Sequence, residues 1–313
     1  MSKIVIAGLV NMETTVKVGE FPIAYCPIHY PFYGVNSCPA GAAFNVSLAL
    51  KKLGDEAVLL SFLGDDSLAG LITAHLGRHG IEDRYLLKQL DESPQSVILY
   101  DDAGRRQIYC DLKETQDMHY PVALFEEAAQ QADLLCICNS NFNRGLLETA
   151  RKQGKIIATD VQVLGDIKDA YNAEFMQYAD ILFLSGENIR GDVKEFVLGL
   201  AGEYNNSIIV VGLGRKGALL YVREDADICC YPAVYTREVV NTVGAGDSLF
   251  AAFVHYYGKK RNPREALEKA MVFASYKIGE KGAAMGFLSE LELENECRSA
   301  APLEGEAVWN GQN

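Results

Sequence analysis

The sequence predicts an α/β fold of three layers, in which helices cover both faces of a mostly parallel central sheet, with a small additional β-sheet. From about residue 120 onward, short apolar runs alternate with segments of helical periodicity. Strands separated by helical segments of roughly 10 to 20 residues need crossover connections, and these produce parallel strands. Two segments depart from this alternation, residues 14–35 and 95–113, and both are rich in β-forming residues. They predict the small sheet.

Six apolar runs are the predicted strands of the central sheet, because each is short and lies between polar or turn-forming residues. A helix is expected from about residue 41 to 53, where Val46, Leu50 and Leu53 recur at helical spacing. A last helix is expected after Ser289, followed by a frayed tail. The predicted strands are Lys3–Leu9, Glu56–Phe62, Asp133–Cys138, Lys155–Asp160, Ile181–Leu184 and Ser207–Gly212.

The β-rich segments are expected to form an insertion of about residues 12–35 and 95–115 in a single domain that spans residues 1–313. Ser96–Tyr100 and Gln107–Asp111 flank an Asp-Ala-Gly turn, which predicts a hairpin. Ligands of open parallel sheets bind beyond the carboxyl ends of the strands, so the insertion is predicted to cover that crevice as a lid. Its strand edges can pair with a second copy, and we expect a homodimer through the lid.

The charge balance argues against several classes of partner. Lys and Arg total 29 against 42 Asp and Glu, a formal net charge of −13 at pH 7. Such a surface repels nucleic acid and anionic membranes, although backbone N–H groups can still hold a small phosphorylated ligand. The N-terminal apolar run is too short for a signal peptide, and no run reaches the roughly 18 to 20 residues that cross a bilayer. We therefore expect a cytoplasmic protein with no nucleic-acid or membrane partner.

The cysteines are predicted to be reduced thiols. They are scattered and lack the C-x-x-C spacing of zinc and redox sites. Two of them alternate within an apolar run that is typical of a buried strand, where cysteine behaves as a small hydrophobic residue. The two buried cysteines are predicted to be Cys136 and Cys138, and the others are Cys26, Cys38, Cys110, Cys229, Cys230 and Cys297.

Residues 239–253 carry the most chemical information, since they predict a short strand, a glycine turn and an apolar helix. Small residues at 244–246 allow a ligand to approach the backbone, and the N–H groups at the start of a helix attract an anion. Asp247 follows, where a carboxylate can accept a hydroxyl proton, an arrangement suited to phosphoryl transfer. A plain glycine turn with Asp247 as a helix cap is the alternative. Within residues 239–253, neither the G-x-G-x-x-G dinucleotide motif nor the Walker P-loop occurs.

The segment Asn-Thr-Val-Gly-Ala-Gly-Asp, from Asn241 to Asp247, resembles the C-terminal signature of the PfkB/ribokinase family of carbohydrate and nucleoside kinases. The resemblance implies a ribokinase-like fold and ATP-dependent phosphorylation of a hydroxyl group. It implies that Asp247 is the catalytic base and that Gly244, Ala245 and Gly246 form the anion hole. Many relatives also build a monovalent-cation site beside the anion hole, and the family's usual Asp at the start of this signature is Asn241 here.

A second segment, residues 40–47, resembles the family's N-terminal signature Gly-Gly-x-x-x-Asn. The resemblance places Gly41 and Asn45 beside the substrate, where small residues let a polyol approach and an Asn side chain can donate to and accept from hydroxyls. Taken alone, Asn45 is more typical of a helix-capping or packing residue than of a substrate ligand. Asn11 and Glu13 follow the first strand, where relatives hold substrate hydroxyls with a polar residue and an Asp. The longer Glu13 predicts a differently shaped pocket.

Three further segments imply the ATP site. Residues 212–217 resemble the family's Gly-x-x-Gly turn at the nucleotide, and residues 274–283 resemble its adenine-side helix and Gly-Ala turn. Residues 185–188 stand where the family has an Asn-x-x-Glu pair that organises Mg²⁺. The residues expected at the nucleotide are Gly214, Lys216, Gly217, Ser185 and Asn188, with Glu187 or Asn188 as the candidate Mg²⁺ ligand.

Two substrate classes stay open. A sugar or sugar acid is favoured, and a nucleoside of the adenosine, inosine or pseudouridine type is the alternative. Aromatic side chains of the insertion could stack on a nucleobase or on the apolar face of a sugar. A third interpretation is a catalytically weak binding protein on the kinase scaffold, motivated by Asn241, Ser185 and Asn188, but Asp247 argues against it. The aromatic residues are Tyr25, His29, Tyr30, Phe32 and Tyr33.

Overall fold

The structure, a computed structural model, describes residues 1–299 of the 313-residue chain. The tail expected after the last helix lies outside these residues. The strands are β1 (Lys3–Ala7), β2 (Asn11–Lys17), β3 (Val35–Ala40), β4 (Glu56–Gly64), β5 (Leu86–Leu90), β6 (Gln95–Tyr100), β7 (Arg106–Asp111), β8 (Leu134–Ile137), β9 (Ile156–Val163), β10 (Ile181–Ser185), β11 (Ile208–Gly212), β12 (Ala218–Val222) and β13 (Asp227–Tyr231).

The helices alternate with the strands through most of the chain and then follow one another at its end. Within residues 1–299, none of them combines the length and apolar character that crossing a bilayer demands. The helices are α1 (Ala42–Leu53), α2 (Ser67–Arg78), α3 (Val122–Ala129), α4 (Arg144–Lys152), α5 (Ala173–Tyr178), α6 (Val193–Glu203), α7 (Ala245–Lys260), α8 (Pro263–Lys277) and α9 (Glu290–Ser299).

The central sheet has the strand order β13-β12-β11-β10-β9-β8-β1-β4-β5 among the described residues. The strands from β11 to β5 pair in parallel, and β12 and β13 add an antiparallel edge. All six strands predicted from apolar runs lie in this sheet. Three more, β5, β12 and β13, were not predicted. The carboxyl ends of the parallel strands therefore meet at one edge of the sheet.

Two hydrophobic cores, one on each face of the sheet, confirm the three-layer prediction. Alternate residues of β1 point to opposite faces, as the period of a strand requires. Ile4 and Ile6 pack into the core that holds α1, α7 and α8. Val5 and Ala7 pack into the core that holds α3, α4 and α6. Cys136 and Cys138 are buried as predicted, on the side of α7.

The second sheet, which we call the small sheet, has the order β3-β2-β6-β7. The predicted hairpin is confirmed as β6 and β7, which pair antiparallel across a turn at residues 101–105. Strand β2 pairs parallel with β6 and antiparallel with β3. Because β2 begins four residues after β1 ends, the small sheet stands directly at the carboxyl edge of the central sheet.

The prediction of β structure through residues 14–35 was wrong for its middle part. Residues 18–34 form a loop, and the strand that follows, β3, lies almost wholly beyond the predicted segment. The loop contains Pro22, Pro27 and Pro31, which lack a backbone N–H and interrupt a ladder of strand hydrogen bonds. Its aromatic side chains are solvent-exposed, Tyr25 and Tyr33 almost completely.

Candidate active site

The glycine turn, residues 241–246, leads into α7 at the carboxyl edge of the central sheet. Gly244 has a φ of 76°, in the left-handed region, and a Cβ at this position would lie 2.5 Å from the Ala283 carbonyl oxygen. Only glycine fits there without a backbone shift. The short strand predicted before the turn is absent from the described structure: the Val240 and Asn241 N–H groups bind the Ile278 carbonyl at the end of α8, so no neighbouring strand pairs with them.

Asp247 lies in the first turn of α7 and faces Asn45 of α1. The Asn45 Nδ2 group donates a hydrogen bond of 2.7 Å to Asp247 Oδ2. The N-cap position belongs to Gly244, and Asp247 does not cap the helix. Burial raises the pKa of Asp247, while the hydrogen bond from Asn45 and the charges of Lys277 and Arg106 oppose that rise. The structure therefore brings two of the predicted site residues into direct contact.

Asn11 and Glu13 lie on the same face of β2, and Glu13 is near enough to Asp247 for their charges to interact. They are only 4% and 8% exposed. The Asn11 Nδ2 group donates to Ser96 Oγ at 2.9 Å, but Asn11 Oδ1, Glu13 Oε1 and Asn45 Oδ1 are buried acceptors without a hydrogen-bond partner. Buried polar atoms usually find partners. Three buried acceptors without partners are therefore suited to the hydroxyl groups of a ligand.

Glu13 is electrostatically coupled to the rest of the site. Burial raises its pKa from 4.5 to about 7, and the negative charge of Asp247 adds to this rise. The positive charges of Lys277 and Arg106 act in the opposite direction.

Gly41, the fourth residue predicted at the substrate, has a φ of 106°, and a Cβ there would lie 2.4 Å from the Leu9 carbonyl oxygen. Its position thus allows close packing of α1 on the segment after β1.

The segments predicted to bind ATP lie at the ends of neighbouring strands. Ser185 on β10 pairs in register with Gly212 on β11, which places residues 185–188 beside the turn at 214–217. Ser185 Oγ accepts a hydrogen bond from the Glu187 N–H at 3.4 Å. Gly217 is needed for packing, because a Cβ there would lie 1.9 Å from the Tyr231 carbonyl oxygen. Lys216 and Asn188 are exposed at this edge.

An ion pair connects the small sheet to the predicted ATP site. Arg106, at the start of β7, lies 3.8 Å from Glu187 through its Nη2 atom. Burial raises the pKa of Asp247 and Glu13, and the charge of the same arginine opposes this rise. The small sheet therefore contributes a positive charge over the edge where the two predicted sites meet.

Three residues at the site were not predicted from the sequence: Asp160, Lys277 and Arg106. Asp160 ends a predicted strand, which is a signal for a site residue, and its Oδ2 atom lies 4.0 Å from where a Cβ of Gly246 would be. Burial raises the pKa of Asp160 to about 7. The hydrogen bond from the Gln162 N–H opposes this rise, and the negative charge of Asp247 adds to it. Lys277 is completely buried at a core position of α8, seven residues after Ala270.

Comparisons with known proteins place this geometry in a family. The family model described as "pfkB family carbohydrate kinase" matches residues 1–289. A nucleoside kinase of Methanothermobacter thermautotrophicus is 27% identical over 252 residues, 77% of this chain and 79% of that protein. The fructosamine kinase FrlD of Bacillus subtilis is 21% identical, over 86% of this chain and 92% of its own length. The solved structure of a microbiome-derived acarbose kinase superposes with a TM-score of 0.86 at 22% identity, covering 95% of this chain and 99% of that one, which shows the shared fold.

Proposed function

Because the chain belongs to the pfkB family of carbohydrate kinases, we propose that it transfers the terminal phosphoryl group of ATP to a hydroxyl of a sugar or sugar derivative, with Asp247 as the base. The observation that carries the proposal is the hydrogen bond between Asn45 and Asp247 at the N-terminus of α7, beside the glycine turn. It joins a donor, a carboxylate and an anion-binding turn in one place. Phosphoryl transfer needs these parts, because its catalysis is mostly positioning and charge stabilisation.

In the proposed reaction, the substrate oxygen forms a bond to the γ-phosphorus of ATP, and the bond from that phosphorus to the bridging oxygen of ADP breaks. The hydroxyl proton passes to Asp247. Burial raises its pKa, while the hydrogen bond from Asn45 and the charges of Lys277 and Arg106 favour the ionised form that accepts the proton. The backbone N–H groups of the glycine turn and the positive end of α7 face the charge that develops on the phosphoryl oxygens. Since Ala245 already donates to the Thr242 carbonyl at 3.2 Å, this contact rests mainly on Gly244 and Gly246.

The substrate-facing wall supports a polyol. Asn11, Glu13 and Asn45 offer three buried acceptors that lack partners, and hydroxyl groups are the donors that would satisfy them. Leaving such atoms unpaired in a complex costs roughly 1 to 3 kcal/mol each, so a ligand without hydroxyls is disfavoured. Gly41 belongs to this wall through its backbone. The small sheet, with Arg106 over the site, is proposed as the lid.

A kinase of this family uses ATP, and we propose Mg²⁺ as its companion. When bound, Mg²⁺ neutralises charge on the phosphates. Among residues 1–299 no cluster of three or more metal-binding side chains occurs, but Mg²⁺ commonly uses one or two carboxylates with waters and phosphates. Asp160 fits this role, because it is buried and lies beside Gly246. Glu187 and Asn188 are the other candidates, although Glu187 is paired with Arg106. Gly214, Lys216, Gly217 and Ser185 would contact the nucleotide.

A nucleoside is the second candidate substrate. The similarity to a nucleoside kinase over 79% of that protein favours it. The aromatic loop gives no support for a nucleobase site, because Tyr25, Phe32 and Tyr33 are 92%, 85% and 101% exposed to solvent. The binding-protein interpretation is weakened by the contact between Asn45 and Asp247, which a protein without turnover would not need.

The small sheet is also the proposed dimer interface. Its outer strand β7 is exposed along its length, with Ile108 and Tyr109 half-exposed, and the residue 18–34 loop adds an apolar surface. Exposed strand edges and apolar patches favour association. The free cysteines and the use of ATP support a cytoplasmic location. Light scattering that gives the mass of a monomer would contradict the dimer.

The proposed function is tested by measuring ATP consumption with Mg²⁺ across sugars, sugar acids and nucleosides. We expect turnover with a sugar or sugar acid and none with nucleosides at low concentration. Turnover with adenosine, inosine or pseudouridine would favour the second candidate. Binding of ATP without turnover on any compound would favour the binding-protein interpretation.

A further inference from the structure

Lys277 places a positive charge directly beneath the glycine turn. It is the last residue of α8, its side chain is fully buried, and its Nζ atom donates a hydrogen bond to the Val243 carbonyl oxygen. Val243 immediately precedes Gly244, the residue that starts the predicted anion hole. Lysine is seldom fully buried, because its ammonium loses hydration. Such a position therefore needs an explanation.

The surroundings of Lys277 are arranged to keep its charge. Burial lowers its pKa to about 8, while the carboxyl groups of Asp247, Glu13 and Glu280 act to raise it. The ammonium thus stays protonated at neutral pH inside the protein. Its charge in turn opposes the rise in the pKa of Asp247 and Glu13. Lys277 and the carboxylates of the site stabilise one another's ionised forms.

The glycine turn is attached to the end of α8 by several bonds. The Asn241 N–H binds the Ile278 carbonyl at 3.0 Å, and Asn241 Nδ2 donates to the Lys281 carbonyl at 2.7 Å. The Lys277 ammonium completes this set at Val243. The turn is therefore fixed in one conformation before any nucleotide arrives, and preorganised donors stabilise a transition state more than mobile ones do.

A monovalent cation beside the anion hole, which the family resemblance implies, does not fit these residues. Such a cation needs oxygen ligands. Asn241 Oδ1 already accepts from the Val243 N–H at 2.9 Å, and its other atom is a donor. The Val243 carbonyl is occupied by Lys277. Asn241 Oδ1 and the Val243 carbonyl oxygen are thus both committed to hydrogen bonds within the protein.

We propose that the Lys277 ammonium takes the place of a monovalent cation at the glycine turn, so that this enzyme needs no potassium or sodium. The inference rests on the proposed kinase function. Lys277 is a positioning residue, because it acts on the phosphoryl group through the turn and not by contact with substrate. Removing its ammonium should open the same space to a small external cation.

The experiment titrates KCl and NH₄Cl into protein kept in tetramethylammonium chloride at constant ionic strength. For every variant we measure ATP–Mg²⁺ binding by calorimetry and stability by thermal unfolding. Turnover is measured with the compound that the substrate screen identifies. For the wild type we expect changes below about twofold in binding and turnover. For Lys277→Ala we expect at least a roughly tenfold loss that potassium or ammonium restores in part. Lys277→Met fills the space with an uncharged chain and should lose activity without rescue.

Lys260→Met, at the exposed end of α7, is the matched control and should behave as the wild type. Strong activation of the wild type by potassium would overturn the inference, as would Lys277→Met with full activity. If Lys277→Ala does not fold, the wild-type titration still tests the proposal. Lys277→Arg, which retains a positive charge, should then be independent of added cations, and activation of it by potassium would contradict the proposal. If no compound is phosphorylated, the proposed function fails, whereas the cation dependence of ATP–Mg²⁺ binding still tests Lys277.

Discussion

Asn45 and Asp247 are 202 residues apart in the chain, yet the amide of the first donates a 2.7 Å hydrogen bond to the carboxylate of the second. The contact exists because α1 and α7 lie side by side on one face of the central sheet and share its core. Each residue belongs to a different sequence motif. Their contact joins α1, the helix proposed to face the substrate, to α7, which carries the proposed base, and it supports a common site for both motifs.

Replacing Asn45 by Ala should weaken Asp247 as a base. The Asn45 hydrogen bond opposes the rise that burial causes in the pKa of Asp247, so its loss should raise that pKa further. We expect the midpoint of the acid limb in the pH profile of kcat/KM to move to higher pH. At pH 7 the loss should be about tenfold, since a hydrogen bond to a charged group contributes at least about 1.5 kcal/mol. Ser47→Ala, on the same helix, should leave the profile unchanged. An unshifted midpoint in Asn45→Ala would contradict this account.

Glu13 should make the protein less stable as pH rises from 4.5 to about 7. The folded protein retains a proton on Glu13 up to about pH 7, whereas the unfolded chain releases it near 4.5. The folded state therefore binds more protons in this window, and the free energy of unfolding falls by up to about 3 kcal/mol. Asp160 contributes with the same sign, because its pKa is also about 7.

The measurement is urea unfolding of wild type and Glu13→Gln at pH 5 and pH 8. Glu13→Gln should remove part of the decline between these values, and Asp160 and Asp247, whose pKa values are also raised, account for the rest. Glu20→Gln, at an exposed position, is the control and should retain all of it. Equal declines in all three proteins would show that Glu13 ionises normally in the folded state.

Glu13→Ala should raise the KM of the phosphorylated substrate by at least about tenfold, because it removes a buried acceptor from the substrate-facing wall. The KM of ATP should change little. Thr14→Ala is a matched control, since its side chain points to the opposite face of β2. An unchanged substrate KM in Glu13→Ala would remove Glu13 from the binding wall.

Arg106→Ala should impair closure of the small sheet over the site. The Arg106–Glu187 pair is 3.8 Å long and partly exposed, so its loss should cost less than about 1 kcal/mol, a several-fold increase in the KM of both substrates. Arg105→Ala, which loses a pair with Asp101 in the hairpin turn, is the control. If steady-state kinetics show that both variants match the wild type, the small sheet is not held through Arg106.

The fold was predictable where its signals are local. Apolar runs between helical patterns identified the six strands around β1, and Gly244 and Asp247 were recognisable from their order before an apolar helix. β12 and β13 were missed because tight turns connect them, and the alternation of strands with helices does not detect them. The loop at 18–34 was misassigned because its aromatic residues favour strands, while its prolines decided the outcome.

The unpredicted site residues depend on contacts between distant parts of the chain. Arg106 meets Glu187 only after the hairpin folds over the carboxyl edge of the central sheet. In the sequence, Lys277 is indistinguishable from an ordinary lysine at the end of a helix. Only the structure shows that it is buried against Val243. Asp160 could have been predicted as a site residue, because it ends a predicted parallel strand and ligands of parallel sheets bind beyond such ends.

The most direct test of the proposed mechanism compares wild type with Asp247→Asn, using the compound identified in the substrate screen. We predict that kcat falls at least about 100-fold while the Kd for ATP–Mg²⁺, measured by calorimetry, stays within about threefold, because the substitution removes the base and keeps the shape of the site. Asp91→Asn, an exposed position, should match the wild type in both measurements. If Asp247→Asn retains more than about a tenth of the turnover, Asp247 is not the catalytic base.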